Sequence, residues 1–350
     1  MTGETEIRVD CGDWRLDREI GHGAYGVVYV AVNGKDECAA VKVCRRDAVG
    51  EERYERELRG AKLYSAIPPQ EGLVRMRELV EEPWGFYAVM DLADDEFGGS
   101  QCPSSGYRPK TLASVIDGEK ALPLGECIKL GIALAKGLAS LQCHHLLHRD
   151  IKPGNVIYVE GRPVISDPGL VVEESEAASL VGTPGYLPPE NFTDATGDIY
   201  SLGLTLKAAS FGRRVEDLSK GPALEADTGA KLFAAWWRIL NKATDATPSR
   251  RYQSAKALLK DLTRLRVRMS FPTLRVIMWI VFVAGLAASI FFAVSTKNRL
   301  DEREQKERRD REEAVESARR TMKAAYQSIS EAVKDAKRSF KNIEKKKDTE

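Results

Sequence analysis

The chain has no CxxC pair. Its six cysteines, Cys11, Cys38, Cys44, Cys102, Cys127 and Cys143, all lie in the first half at spacings that match no zinc-ligand pattern. That argues against a structural metal site and for free thiols in a reducing compartment. The N-terminus, MTGETEIRVDCGDW, lacks an apolar run, so no secretory leader is expected. Charge of one sign is also lacking. The 53 Lys and Arg residues stand against 52 Asp and Glu, a formal net charge of +1, which gives no global field for binding nucleic acid. Residues 301–350 contain neither Gly nor Pro and are mostly Glu, Lys, Arg and Ala, whereas the first two-thirds have a globular composition.

What is present begins with one apolar run. Residues 276–294, VIMWIVFVAGLAASIFFAV, carry no charge over about 19 residues; at about 1.5 Å of rise each, this matches a hydrocarbon layer of roughly 30 Å. The run reads as a single membrane-spanning helix. Arg264, Arg266, Arg268 and Arg275 precede it, and Lys297 and Arg299 follow before acidic residues mix in. This bias puts the N-terminal part on the cytoplasmic side of the cell membrane and the tail outside. In the tail, Val315, Met322, Ile329, Ala336 and Ile343 recur at heptad spacing. Ala318, Ala325 and Ala332 fill a second seam, with Tyr326, Val333 and Phe340 beside it. The pattern suits a homodimeric coiled coil. Ser339 in the alanine seam, and the little surface alanine buries, keep a solvated single helix as the other reading.

Residues 7–45 alternate apolar and polar positions around Asn33-Gly34, which predicts a small antiparallel sheet. Residues 51–65 read as a charged helix and 72–92 as two further strands. Residues 94–110 are rich in Gly, Ser, Pro and Asp and read as a loop. Ile128, Ile132, Ala135, Leu138 and Leu141 carry helical periodicity within 111–146, and the chain after Pro188 reads as mainly helical to Leu265. A strand-rich part thus precedes a helix-rich part, and a cleft between two such parts is the natural ligand site.

Gly21-His22-Gly23-Ala24-Tyr25-Gly26-Val27-Val28 matches G-x-G-x-x-G-x-V. A dinucleotide turn wants a helix after the glycines; here a β-branched strand follows, so the stretch is a strand–turn–strand that lets backbone N–H groups approach phosphate, or an ordinary hairpin. Ala39-Ala40-Val41-Lys42-Val43 places one lysine in an apolar strand. A buried cation needs a partner, and Glu57 on the next helix is the natural candidate with Glu55 competing; a snorkelling edge lysine is the alternative. His148-Arg149-Asp150-Ile151-Lys152-Pro153-Gly154-Asn155 groups a carboxylate, a cation and an amide, and Asp167-Pro168-Gly169 follows with a second carboxylate. Asn155 and Asp167 supply the one or two oxygens that Mg²⁺ takes from protein when phosphates and water complete its shell.

GHGAYGVV, AAVKV, HRDIKPGN, the DPG triplet, GTPGYLPPE, DIYSLG and PSRRYQ occur in this order over about residues 12–265. With this set the chain resembles a eukaryotic-type (Hanks-type) serine/threonine protein kinase of the bacterial transmembrane sort. The resemblance implies an α+β, bilobal fold: an N-terminal extension at 1–11, an N-lobe of antiparallel sheet plus helix at about 12–92, and a helical C-lobe at about 93–265. A basic juxtamembrane segment at 266–275, the membrane helix at 276–294 and the charged tail at 297–350 complete it. It implies transfer of the ATP γ-phosphate to Ser/Thr hydroxyls of protein substrates, with Mg²⁺ or Mn²⁺ and with autophosphorylation. By this resemblance Gly21, Gly23 and Gly26 cover the phosphates, and Val28, Ala40, Met90, Asp91 and Ala93 hold the nucleotide, the last two in the hinge. Lys42 contacts phosphate and pairs with Glu57. Asp150 orients the acceptor hydroxyl and takes its proton, Lys152 supports the transferring group, and Asn155 and Asp167 hold the metal. Thr183 packs on Asp150 and Lys152, Glu190 pairs with Arg251, and Asp198 braces the catalytic loop. Lys152 together with Thr183 in GTPGY points to the Ser/Thr branch, and the PPE segment to a protein substrate. A pseudokinase or nucleotide-binding scaffold is the alternative.

The chain departs from the family pattern in three places. Pro168 stands where the family has Phe, which predicts a stiffer, less switchable triplet. The insertion at 94–110 is expected to be a tolerated surface loop, with a part in shaping substrate access as the alternative. The segment after Asp167 carries Glu173, Glu174, Ser175, Glu176 and Ser179, so either serine phosphorylation or the acidic residues would meet the basic group that Arg149 offers.

Overall fold

A computed structural model describes residues 10–23, 26–98, 106–118, 121–176, 182–191, 194–213 and 229–347. The chain divides into two compact units, Met1–Phe271 and Pro272–Glu350.

The first unit opens with β1 (Arg15–Gly23), β2 (Gly26–Val32) and β3 (Cys38–Arg45), and then α1 (Arg46–Val49) and α2 (Glu51–Ser65). β4 (Met76–Glu82) and β5 (Gly85–Met90) complete an antiparallel sheet of order β1-β2-β3-β5-β4. Asn33 does anchor the β2–β3 connection, through a longer loop than an Asn-Gly turn: its side-chain carbonyl accepts the N–H groups of Lys35 at 3.0 Å and Glu37 at 2.9 Å. β3 is central and apolar, with Ala39, Val41 and Val43 buried. α2 occupies the predicted 51–65; it buries Tyr54, Glu57, Gly60, Ala61 and Tyr64 along one face and leaves most of its other charges in water.

The helical part of this unit begins with α3 (Leu112–Gly118) and α4 (Leu124–Cys143); Pro123 precedes α4, where its missing N–H costs no helical hydrogen bond. The short strands β6 (Leu146–Leu147), β7 (Val156–Val159), β8 (Arg162–Ile165) and β9 (Val172–Glu173) form two ladders, β6 with β9 and β7 with β8. α5 (Ala195–Phe211) starts where the Asp194 carboxylate accepts the Thr196 N–H at 2.8 Å and stops at left-handed Gly212. α6 (Gly229–Ala243) and α7 (Ala255–Lys347) follow. Leu134, Leu138 and Leu141 of α4 form one core with Leu202 and Leu206 of α5, Trp236 of α6 and Leu258 and Leu262 of α7. Each fully buried side chain of this kind contributes about 1.5–3 kcal/mol.

In the second unit, Ile277–Lys337 contains a window of mean hydropathy 2.5 with none of it buried, long and apolar enough to cross a membrane. Val315, Met322, Tyr326, Ile329 and Val333 are exposed on the same helix; the side chains of Ser339, Phe340 and Ile343 lie outside the described residues.

Two expectations are corrected. Cys11, Cys44, Cys127 and Cys143 are free thiols, but Cys38 is disulfide-bonded, because spacing along a chain does not reveal which sulfurs a fold brings together. Cys102 lies outside the described residues. The 94–110 insertion is no loosely tolerated loop in its described part: Tyr107 is buried, and Glu96 N–H donates to the Arg108 carbonyl at 2.9 Å.

Candidate active site

Lys42 lies in the middle of β3, opposite Val28 on β2 and Ala88 on β5. A strand flanks it on either side, and its ammonium is nearly removed from water. The partner is Glu57, not the exposed Glu55: Nζ donates to Glu57 Oε2 at 2.9 Å and to Asp167 Oδ1 at 2.7 Å. Burial alone would lower the Lys42 pKa; the charges of Asp167 and Glu57 outweigh it and raise the pKa, so this lysine stays charged. Burial raises the Glu57 pKa despite Lys42. Asp167 goes the other way: burial opposes ionisation, and Lys42 overcomes it to hold the carboxyl below its usual range.

α2 can bring Glu57 this close because glycines meet on both sides of the contact. A Cβ on Gly60 would lie 2.9–3.0 Å from the carbonyl oxygens of Gly169, Pro168 and Val171, and a Cβ on Gly169 would overlap the Glu57 carboxylate. The helix therefore rests directly on the 3₁₀ turn Pro168–Leu170, with Pro168 and Gly169 buried. Asp167, just before this turn, is left-handed at φ 59°. Proline after it adds a fixed φ to a turn already seated against the helix.

The second cluster is built on the loop between β6 and β7. Asp198, fully buried on α5, accepts the N–H groups of His148 at 2.7 Å and Arg149 at 2.8 Å. This bracing holds Arg149 at φ 66°, an uncommon backbone state for a non-glycine residue. Asp150 Oδ1 accepts Thr183 Oγ1–H at 2.6 Å; Oδ2 accepts Lys152 Nζ at 2.9 Å and Asn155 Nδ2 at 2.8 Å. Lys152 Nζ also donates to Thr183 Oγ1 at 2.7 Å. Since Asn155 directs its NH₂ to Asp150, its amide oxygen remains for the cleft. Arg251 holds Glu190 through two bonds of 2.6 and 2.8 Å. In the segment after Asp167, Glu176 pairs with Arg59 of α2 at 2.6 Å, and Arg149 Nε donates to the Leu170 carbonyl at 2.9 Å. Ser175 lies in the described turn Glu174–Glu176, while Ser179 lies outside the described residues.

Between the two clusters lies a cleft of about 410 Å³. Gly21, Gly23, Gly26, Val28, Ala40, Lys42, Met90, Asp91, Ala93, Lys152, Asn155 and Asp167 all line it. Glu57 and Asp150 do not; Glu57 lies behind Lys42, and Asp150 behind Lys152 and Asn155. Gly26 is required by its backbone, since at φ 150° a Cβ would lie 2.5 Å from the Val43 carbonyl oxygen. Ile20, Val74, Thr111 and Ile157 also line the cleft and were missed in the sequence. Ile157 had a signal, being two residues past Asn155 on an alternating strand; Val74 and Thr111 had none, since only the packing of the two halves brings them in. The donor set fits a nucleotide with a hard cation. Asn155 and Asp167 offer two protein oxygens, and no cluster of three His, Cys, Asp or Glu among the described residues makes a cage that would dispense with phosphate ligands.

This geometry agrees with comparison to known proteins. The family model for the protein kinase domain matches residues 14–279. Serine/threonine-protein kinase AfsK of Streptomyces griseus is 28% identical over 216 residues, 57% of this chain and 24% of its own. PknG of Mycobacterium leprae is 27% identical over 258 residues, 72% of this chain and 32% of its own. The chain thus spans a third or less of the length of these relatives. The kinase domain of Mycobacterium tuberculosis PknI superposes with a TM-score of 0.54 at 21% identity, covering 73% of this chain and 97% of that one, which supports the fold alone. With a two-part α+β fold around a glycine-covered cleft, and with the family match spanning that whole region, the chain belongs to the protein kinase domain family.

Proposed function

We propose that the protein is a membrane-anchored serine/threonine protein kinase that transfers the ATP γ-phosphate to hydroxyls of protein substrates and phosphorylates itself. The observation that carries this is the convergence of Lys42, Asn155 and Asp167 on one cleft, with Asp150 directly behind it.

In this reading the backbone of the Gly21–Gly26 turn covers the phosphates. Val28, Ala40 and Met90 enclose the base, and the hinge at Asp91 and Ala93 receives its edge. Lys42, held by Glu57, fixes the phosphates for transfer. Asn155 and Asp167 would hold Mg²⁺ through oxygen, and the cation would supply positive charge against the phosphates. Asp150 already accepts three side-chain donors; a carboxylate has about four lone-pair sites, so about one remains for a substrate hydroxyl. Asp150 orients that hydroxyl and takes its proton as the new P–O bond forms, the bond from the γ-phosphorus to the bridging oxygen breaks, and ADP leaves. Lys152 and Thr183 hold Asp150 in place and keep a positive charge beside the transferring group.

The apolar stretch 276–294 anchors the chain, with the kinase domain at 12–265 on the cytoplasmic side, and the tail from 297 pairs with a second copy through its heptad seam. The test is magnesium-dependent ATP turnover on a generic basic protein, compared with Asp150→Ala. Nucleotide binding without turnover in the wild type would turn the reading into that of a pseudokinase scaffold; equal turnover in Asp150→Ala would remove the assigned chemistry.

A further inference from the structure

One peptide unit after the hinge, Ala93–Asp94, is held at both poles. Its carbonyl oxygen accepts the Tyr107 hydroxyl at 2.9 Å, and its N–H donates to the Tyr158 carbonyl at 2.7 Å. The first bond comes from the insertion and the second from the β7–β8 hairpin. Asp94 strengthens the hairpin side: its carboxylate accepts the N–H groups of Glu160 at 2.8 Å and Gly161 at 2.7 Å. On the opposite flank, Asp91 N–H donates to the Arg75 carbonyl at 3.0 Å, and its carboxylate takes Arg77 Nε at 2.8 Å. Between these fixed points, the Asp91 carbonyl and the Ala93 N–H make no hydrogen bond to a described residue, and both residues line the cleft. One acceptor and one donor at that separation complement the amino donor and ring-nitrogen acceptor of adenine.

Tyr107 is 7% exposed. Burial pushes its phenol up, so the hydroxyl remains a donor. The Arg18 guanidinium of β1 lies over its ring, 6.0 Å from the centroid, so the same side chain also touches the strand that leads into the glycine turn. Phenylalanine would fill the space equally well; the hydroxyl is needed only for the Ala93 carbonyl.

We propose that Tyr107 is a positioning residue for the nucleotide: its hydroxyl fixes the Ala93–Asp94 peptide plane, and with it the adjoining Ala93 N–H, in the orientation that receives the adenine edge. The link is short, since a planar peptide leaves only one residue's two torsions between that carbonyl and that N–H. The inference rests on the cleft being the nucleotide site.

The experiment measures KM for ATP, kcat at saturating ATP, and Kd for Mg·ADP on the full chain. Tyr107→Phe should raise KM and Kd about threefold to tenfold, the fold-change one net hydrogen bond carries, with kcat unchanged. Phe97→Ala, in the same insertion but 68% exposed, should leave all three unchanged. Nucleotide affinity in Tyr107→Phe equal to wild type overturns the inference, as does a fall in kcat at unchanged KM or an equal effect of Phe97→Ala. Val28→Phe, which crowds the cleft, separates the two levels. If it leaves Kd for Mg·ADP unaltered, the cleft reading fails and the inference with it; if it weakens binding while Tyr107→Phe does not, only the inference fails.

Discussion

The two charged clusters facing the cleft are built in opposite ways. Lys42, Glu57 and Asp167 come from a strand, a helix and a turn far apart in the chain, and one buried cation serves two carboxylates. Asp150, Lys152 and Asn155 lie within one loop, joined by Thr183 and braced beneath by Asp198. The first depends on where α2 rests; the second is largely assembled by local chain geometry. The difference teaches that the first cluster depends on the seat of α2 on the turn at Pro168–Leu170, and the second on the 148–155 loop and its brace.

The strongest way to break the local cluster is Asp150→Asn. It keeps the shape and removes the proposed base, so turnover should fall by about a hundredfold to ten-thousandfold with nucleotide binding retained. A steady-state assay with Kd for Mg·ADP checks this; lost binding would mean that Asp150 serves the nucleotide instead.

Breaking the long-range cluster should cost less. Glu57→Gln weakens a charge-assisted bond of about 1.5–3 kcal/mol; that is roughly a tenfold to hundredfold loss in kcat/KM. Its stability effect has a defined sign. Burial raises the folded-state pKa of Glu57, so the folded protein takes up this proton more readily than the unfolded chain. The ionised form therefore costs stability at neutral pH, and the cost is relieved as pH falls through the raised folded value. Asp167 behaves oppositely: its lowered pKa gives stability at neutral pH that is lost as pH falls through its folded value. Activity should decline on the acid side as Glu57 takes up its proton, and Glu57→Gln should flatten that limb of the pH profile. An unchanged limb would assign it to another group.

The seat of α2 gives smaller effects. Gly60→Ala pushes a methyl against three carbonyl oxygens, with a cost of about 1–3 kcal/mol in stability or in displacement of the helix. Thermal unfolding together with kcat would divide the two. Pro168→Phe tests the same contact from below. Because Gly60 and Gly169 already bring helix and turn together, the ring should lift α2 and lower activity; an unaltered rate would show that the seat has slack. Smallest for catalysis is removal of residues 300–350, which should leave kcat of the isolated enzyme unchanged and convert a dimer to a monomer in sedimentation. A monomer before the deletion would end the coiled-coil reading.

Much of this was legible in the order of residues. Alternation marked the strands of the first sheet, the charged run 51–65 marked α2 to its ends, and the motifs together with the family resemblance they carry marked twelve residues that line the cleft. The 94–110 insertion was misjudged because composition reports turn propensity and says nothing of Tyr107 meeting Ala93. Cys38 was misjudged for a related reason, since spacing does not report proximity. Gly60 carried no signal of its own; only the turn beneath it shows why a side chain does not fit there.

The order of residues by itself determined the strand-rich and helix-rich regions and the apolar stretch, because these depend on local periodicity and on side-chain chemistry. The tertiary structure alone decided that Asp167 joins Glu57 on Lys42, how closely α2 approaches Gly169, and that a tyrosine in an insertion reaches the hinge. Those outcomes depend on distances between elements remote along the chain. Such distances are set by how the two halves pack, which no short stretch contains.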